Sequence, residues 1–329
     1  MVARRIAWCS VACAFSAVTL LVLAPPATAD SKQRVTVKYP ASKSASRTPA
    51  HKTRPAKRAK PAKPANRYNA ELAAAGAPNL KSAAALVVDL NDGQTIYAKN
   101  TQSVAPIASI TKLMTAMVVL DADQPLEETI YIDSADHDFV KHTNSRLGVG
   151  TGLSRRDMLR LALMSSENRA AASLGRAYPG GAEAFIAAMN RKAVELGMWN
   201  TRFVDASGLS SENVSTAGDL VKMVKSAYQY SLIREFTTTP AYEVETVAGR
   251  NLQFRNSNGL VKNPTWGIGL SKTGYISEAG RCLVMQARIA GRPVVIVLLD
   301  SWGKYSRIGD ANRIKKWMES HAGRKPGVG

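Results

Sequence analysis

The chain has 329 residues, 45% of them hydrophobic, and carries 44 Lys and Arg against 25 Asp and Glu for a formal net charge of +19. Its length allows one or two domains with a sizeable buried core. The charge is too unevenly placed to be read as one basic domain surface.

Arg4 and Arg5 precede an apolar run from Ile6 to Leu23. Pro25 and Pro26 break it, and Ala27-Thr28-Ala29 offers small cleavage-site residues before Asp30. Residues 1–29 therefore read as a secretory signal peptide, with an uncleaved membrane anchor as the alternative. The arginine pair alone is weak evidence for twin-arginine export. Cys9 and Cys13 fall in this leader, and neither follows the apolar run as a lipid-bearing cysteine would. Only Cys282 remains, in an apolar strand pattern that suits a small buried hydrophobe.

Residues 30–67 form a second unit. Twelve Lys and Arg lie in 31–67 with five prolines (Pro40, Pro49, Pro55, Pro61 and Pro64) and no acid. Such a segment cannot bury enough apolar surface to offset its ordering entropy, and it reads as disordered. Setting it and the leader aside leaves 30 basic against 24 acidic residues, so the folded body is near +6 and the tail carries the basicity. The tail either holds the protein electrostatically near anionic wall polymer or membrane or is a solvated spacer. Export makes nucleic acid a poor candidate partner.

From Tyr68 to residue 322 the chain reads as one folded body, followed by a polar tail, 323–329. Ala83–Leu90 and Gln94–Ala98 flank the turn Asn91-Asp92-Gly93 and predict a β-hairpin. Leu113, Met114, Met117, Val118 and Leu120 predict a helix starting near Ser109. Ser154 with Asp157 starts another. Further helices are predicted from about Arg169 to the Pro179-Gly180-Gly181 break, over Glu183–Leu196, and from the Thr216/Asp219 cap. Gly267–Tyr275, Arg281–Ala290 and Pro293–Asp300 read as strands and Asp310–His321 as a last helix. Strands at both ends and helices between them predict an α/β chain of the α+β kind. One antiparallel sheet draws on both ends of the body, terminal helices cover one face, and an all-helical cluster sits beside it.

Three motifs follow in order. In Ser109-Ile110-Thr111-Lys112, helical spacing puts a hydroxyl and an amine on one face. A serine needs a base to become nucleophilic, and lysine serves only if burial or nearby positive charge lowers its pKa. Ser301-Trp302-Gly303-Lys304 matches the same pattern, but its glycine argues against a helix. Ser166-Glu167-Asn168 falls at an elbow between two helices. The same letters recur at Ser211-Glu212-Asn213, in a loop with Gly208 where Ser and Asn are ordinary turn formers, and that copy is expected to matter little to turnover. Lys272-Thr273-Gly274 ends a predicted strand, where lysine and threonine suit a carboxylate and glycine allows close backbone approach. Each motif is weak alone, but in this order they match the set of β-lactamases and penicillin-binding proteins. His51, His137, His142 and His321 show no metal-ligand spacing, and no cofactor or metal is expected.

From Ala84 to about Trp317 the sequence resembles the low-molecular-mass penicillin-binding proteins, the serine D-alanyl-D-alanine peptidases. Ala108–Ala116 is similar to their active-site helix. Leu163–Leu174, Asn200–Val204 and Ser215-Thr216-Ala217 resemble the D-alanyl-D-alanine endopeptidase branch, of penicillin-binding protein 7 type. The resemblance implies a β-lactamase/transpeptidase-like fold. It assigns Ser109 as nucleophile, Lys112 as general base, and Ser166 as proton relay to the leaving amine. Asn168 holds substrate and Lys112, Lys272, Thr273 and Gly274 bind substrate, and the backbone N–H groups of Ser109 and Tyr275 form an oxyanion hole. Substrates would be peptidoglycan stem peptides and cross-links, with β-lactams as covalent inhibitors, in the periplasm after cleavage near Ala29-Asp30. Endopeptidase over carboxypeptidase rests on the resemblance alone. A β-lactamase would need a further carboxylate, for which only Glu167 is close in sequence. A non-catalytic wall-binding protein would not need the serine–lysine pair.

If the tail acts by charge, a form starting near Tyr68 should hydrolyse soluble muropeptides as the mature chain does. It should also lose a salt-sensitive sedimentation with sacculi or anionic vesicles, since the Debye length falls from ~10 Å at 0.1 M to ~3 Å at 1 M salt. Unchanged sedimentation would make the tail a spacer.

Overall fold

The computed structural model describes residues 76–138, 141 and 143–322. The predicted signal peptide, basic segment, Tyr68 boundary, His51, His142 and the 323–329 tail lie outside the described residues.

The first apolar run forms β1 (Ser82–Asp89), and the Asn-Asp-Gly turn returns it as β2 (Thr95–Lys99), with Gly93 at φ +72° as such turns require. The C-terminal runs form β9 (Gly267–Ile276), β10 (Gly280–Ile289) and β11 (Arg292–Ser301). These five make one antiparallel sheet in the order β2-β1-β11-β10-β9, so that the two ends of the body meet where β1 pairs with β11. Two-residue and three-residue strands β3 (Ala105–Pro106), β4 (Thr129–Tyr131), β5 (Gly152–Ser154) and β6 (Val214–Ser215) pair as β3-β6 and β4-β5. A polar hairpin is made by β7 (Ala241–Glu245) and β8 (Asn251–Arg255).

Both faces of the sheet are buried, which explains why its inner strands read as continuous apolar runs. Ala85, Val87, Leu283, Met285, Ile296 and Leu298 meet Ala311, Ile314 and Met318 of the last helix. The alternate residues Leu86, Val88, Val284, Val295, Val297 and Leu299 belong to the larger core shared with the other helices. These are α1 (Lys112–Asp121), α2 (Arg155–Met164), α3 (Asn168–Arg176), α4 (Gly181–Glu195), α5 (Ala217–Ala227) and α6 (Ser231–Thr238). The last helix, α7, begins already at Ser306 and runs to Ala322. Ser154 and Thr216 cap their helices as read, accepting from the N–H groups of Asp157 and Asp219. The α6 helix and the β7–β8 hairpin were not foreseen. Cys282 is fully buried on β10, and burial pushes its thiol up to about 11.

The two ends of the described body are tied by one carboxylate. Buried Asp310 accepts from the N–H of Lys81 (2.9 Å), the N–H of Ser82 (2.7 Å) and the Ser82 hydroxyl (2.6 Å). Hydrogen bonds to charged groups contribute ~1.5–3 kcal/mol each. Asp310→Ala should therefore lower the urea midpoint at unchanged slope, by at least ~2–3 kcal/mol of unfolding free energy. An unmoved midpoint would contradict this role.

Candidate active site

The predicted serine does not start an α-helix. Ala108–Thr111 is one 3₁₀ turn, which α1 continues from Lys112. In a 3₁₀ turn residues three apart eclipse, and this stacks Lys112 on Ser109 with Nζ 2.9 Å from Oγ. The turn is entered through Ala108 at φ +48°, the left-handed region. Lys112 is fully buried at the site. Its Nζ donates to Asn168 Oδ1 (2.7 Å) and to the carbonyl of Ser207 (2.6 Å). Burial lowers its pKa to about 7, against the opposite pull of Asp205 and Glu167.

The elbow between α2 and α3 carries the second motif. Ser166 sits at φ +64°, and the turn is tied back where Glu167 N–H and Ser165 Oγ both donate to the Leu161 carbonyl (3.1 and 2.7 Å). Asn168 opens α3, and Glu167 is its N-cap, accepting from the Arg169 N–H at 3.4 Å.

The third motif lies on β9, an edge strand of the sheet. Lys272, also buried, donates from Nζ to Ser166 Oγ (2.9 Å) and to the Thr273 carbonyl (3.0 Å). Burial holds it well below the ordinary lysine value, and the positive charges of Lys112 and Arg307 push the same way. Thr273 Oγ1 donates to Ser257 Oγ (2.7 Å), and Arg307 Nη1 to the Gly274 carbonyl (3.1 Å). Gly274 lets β9 press on the serine turn: a Cβ there would stand 2.8 Å from the Ile107 carbonyl oxygen and 3.2 Å from Ser109 N. The structure thus brings Ser109, Lys112, Ser166, Asn168, Lys272, Thr273 and Gly274 together, with Tyr275 next on the strand. Beside the elbow opens a cleft of about 890 Å³, whose lining includes Arg146, Ser165, Glu167, Tyr242, Phe254 and Arg255.

The competing Ser301 is buried in β11, sharing a hydrogen bond with Ser82 Oγ at 2.6 Å. In the second Ser-Glu-Asn copy the asparagine is more than a turn former. Asn213 is fully buried. Its Oδ1 accepts from the Val204 N–H (2.8 Å) and its Nδ2 donates to Asp205 Oδ2 (2.7 Å). Asp205 in turn accepts from the N–H groups of Ser207 and Ser210 (2.6 and 2.8 Å). Asn213 therefore shapes the loop that offers the Ser207 carbonyl to Lys112, and it is not indifferent to the site.

A family model described as D-alanyl-D-alanine carboxypeptidase matches residues 71–303. The chain belongs to that family. A D-alanyl-D-alanine endopeptidase of Pseudomonas aeruginosa is 52% identical over 245 residues, 73% of this chain and 78% of the relative. The crystal structure of a Streptomyces DD-transpeptidase superposes with a TM-score of 0.69 at 31% identity, covering 74% of this chain and 99% of that one. A penicillin-binding protein of Listeria monocytogenes, solved in its ampicillin-bound form, gives 0.64 at 29% identity over 74% and 99%. Family membership and fold agree with the resemblance seen in the motifs.

Sequence reading missed Thr143, Ser207, Ser257 and Arg307 at this family site. Ser207 acts by its carbonyl, which leaves no mark on residue type, though Gly208 beside it was visible. A Cβ on Gly208, at φ +81°, would fall 2.0 Å from the Ala108 carbonyl oxygen. Gly208→Ala should thus displace the serine turn, lowering penicillin acylation at least ~tenfold and stability by ~1–3 kcal/mol. Ser211→Ala should leave both unchanged, whereas Asn213→Ala should lower both. Parental behaviour of Gly208→Ala would contradict the packing argument.

Proposed function

We propose that the protein is a penicillin-sensitive serine D,D-peptidase that cleaves D-alanyl-meso-diaminopimelyl cross-bridges of peptidoglycan in the periplasm. The reading is carried by one observation: two buried lysines flank two serines, Lys112 at 2.9 Å from Ser109 and Lys272 at 2.9 Å from Ser166. A neutral Lys112 has two N–H donors and one lone pair. Asn168 Oδ1 and the Ser207 carbonyl can only accept, so they take the two donors. The lone pair is left for the Ser109 proton.

Ser109 Oγ then attacks the carbonyl of the D-alanyl residue, forming the C–O bond while Lys112 takes the proton. The backbone N–H groups of Ser109 and Tyr275 receive the oxyanion, a contribution of ~10²–10³-fold per donor. The C–N bond breaks, and Ser166 passes the proton to the leaving amine. Water repeats the sequence on the acyl-enzyme. Lys272 and Thr273 attract the carboxylate beside the scissile bond. That carboxylate favours the ammonium of Lys272, which burial and the charges of Lys112 and Arg307 disfavour in the free site. The endopeptidase name of the Pseudomonas relative supports the cross-bridge over a terminal D-Ala-D-Ala, and the ampicillin-bound relative supports β-lactam acylation.

Purified cross-linked muropeptide dimers should yield monomers by mass, and Ser109→Ala should lose at least ~10³-fold. Release of D-alanine from monomeric pentapeptides, with dimers untouched, would make it a carboxypeptidase. Because the base must be unprotonated, the penicillin acylation rate should rise with pH through about 7. A rate that is flat from pH 5 to 9 would remove Lys112 from the role.

A further inference from the structure

The geometry points to Asp138 and Thr143 as positioning residues that fix which end of the Asn168 amide faces Lys112. This rests on the reading of Lys112 as the base for Ser109. Neither residue belongs to a motif recognised in the sequence. Both lie in the segment between β4 and β5, and they reach the site through side chains alone.

The chain of contacts is short. Asp138 is buried and accepts at Oδ1 from the Lys141 N–H (2.7 Å) and at Oδ2 from the Thr143 N–H (3.0 Å). Oδ2 also receives the Thr143 hydroxyl at 2.7 Å. Thr143 Oγ1 is 3.0 Å from Asn168 Nδ2, and Asn168 Oδ1 receives Lys112 Nζ at 2.7 Å. A threonine hydroxyl has one proton. Among the described residues the Asp138 carboxylate receives the Lys141 N–H, the Thr143 N–H and the Thr143 hydroxyl, and as acceptor it commits that proton. Thr143 Oγ1 can then only accept from Asn168, which must turn Nδ2 toward it and Oδ1 toward Lys112.

The consequence is chemical. With Oδ1 toward it, neutral Lys112 spends an N–H on Asn168 and keeps its lone pair for Ser109. With the amide reversed, Nδ2 would donate to the amine, and the lone pair would be engaged away from the serine. The reversal also has an electrostatic sign. Exchanging an acceptor for a donor beside Lys112 disfavours the ammonium and moves its titration to lower pH. The other charges that bear on Lys112, on Asp205, Glu167 and Lys272, are unchanged by it. Loosening of the pocket by an ordinary packing defect would admit water and move the titration up.

The test compares Thr143→Val, Thr143→Ser and Asp138→Ala with the parental mature protein. A fluorescent penicillin reports acylation as a function of pH, and the concentration dependence separates non-covalent binding from the chemical step. Urea unfolding is measured alongside. Thr143→Val should lower the acylation plateau about ten- to a hundredfold, the usual scale for removing a group that orients another, with binding and the urea midpoint little changed. The pH midpoint should move down. Thr143→Ser should stay within about threefold of parental, since serine keeps the donor and acceptor. Asp138→Ala removes the acceptor and frees the Thr143 proton for Asn168 Oδ1, so it should shift the midpoint in the same direction, and it decides the matter if Thr143→Val unfolds. The inference is overturned if the valine variant acylates at the parental rate, if serine is as damaging as valine, or if the midpoint rises. Failure of the underlying reading would look different, with no label on Ser109 in the parental protein.

Discussion

Everything at this site follows from keeping one amine out of water. Lys112 is fully buried, and its pKa falls from 10.5 to about 7 although Asp205 and Glu167 both pull it up. A shift of that size corresponds to differential interaction on the order of 5 kcal/mol between the charged and neutral forms. No surface ion pair among the described residues approaches such a contribution, because exposed pairs give ~0–1 kcal/mol. The neutral amine is therefore a property of the packing around it, and any residue that lets water reach Lys112 changes the chemistry before it changes the fold.

That packing is assembled from distant parts of the chain. The sheet joins β1 to β11 and leaves β9 at its edge, where Gly274 presses on the serine turn. From the other side the loop held by Asp205 and Asn213 brings the Ser207 carbonyl to Lys112, and Gly208 gives way to the Ala108 carbonyl. Three non-glycine or glycine positions in left-handed conformation, Ala108, Ser166 and Gly208, cluster here. Strain of this kind costs ~1–3 kcal/mol per non-glycine residue and persists only where the surroundings impose it. The second buried lysine, Lys272, is held below the ordinary lysine value by the same burial and by the charges of Lys112 and Arg307, and in the proposed reading an anion beside the scissile bond offsets that cost.

Much of this was legible in the sequence. The hairpin, the three C-terminal strands and the capped helices follow from periodicity and turn chemistry, and residues Ser109, Lys112, Ser166, Asn168, Lys272 and Thr273 follow from three short motifs in order. What stayed hidden has physical reasons. The β7–β8 hairpin buries only Val244 and Phe254 deeply, too few for an apolar pattern. The α6 helix spans eight residues, and its N-cap Tyr230 makes no capping hydrogen bond. Asn213 looked like a turn former because its role, bridging backbone groups of a loop, depends on burial that composition does not report. Ser207 contributes a carbonyl, and Asp138 and Thr143 act through a hydrogen-bond direction, neither of which residue type reveals.

The central claim is that Lys112 is half-neutral near physiological pH in the free protein. The direct measurement is a pH titration by NMR of the mature protein with lysines labelled at ¹³Cε, the Lys112 signal being assigned by its loss in Lys112→Arg. A midpoint near 7 is expected, set by burial against the pull of Asp205 and Glu167. A midpoint at or above 10, as for a solvated lysine, would mean that Lys112 is an ammonium at working pH and cannot be the base for Ser109.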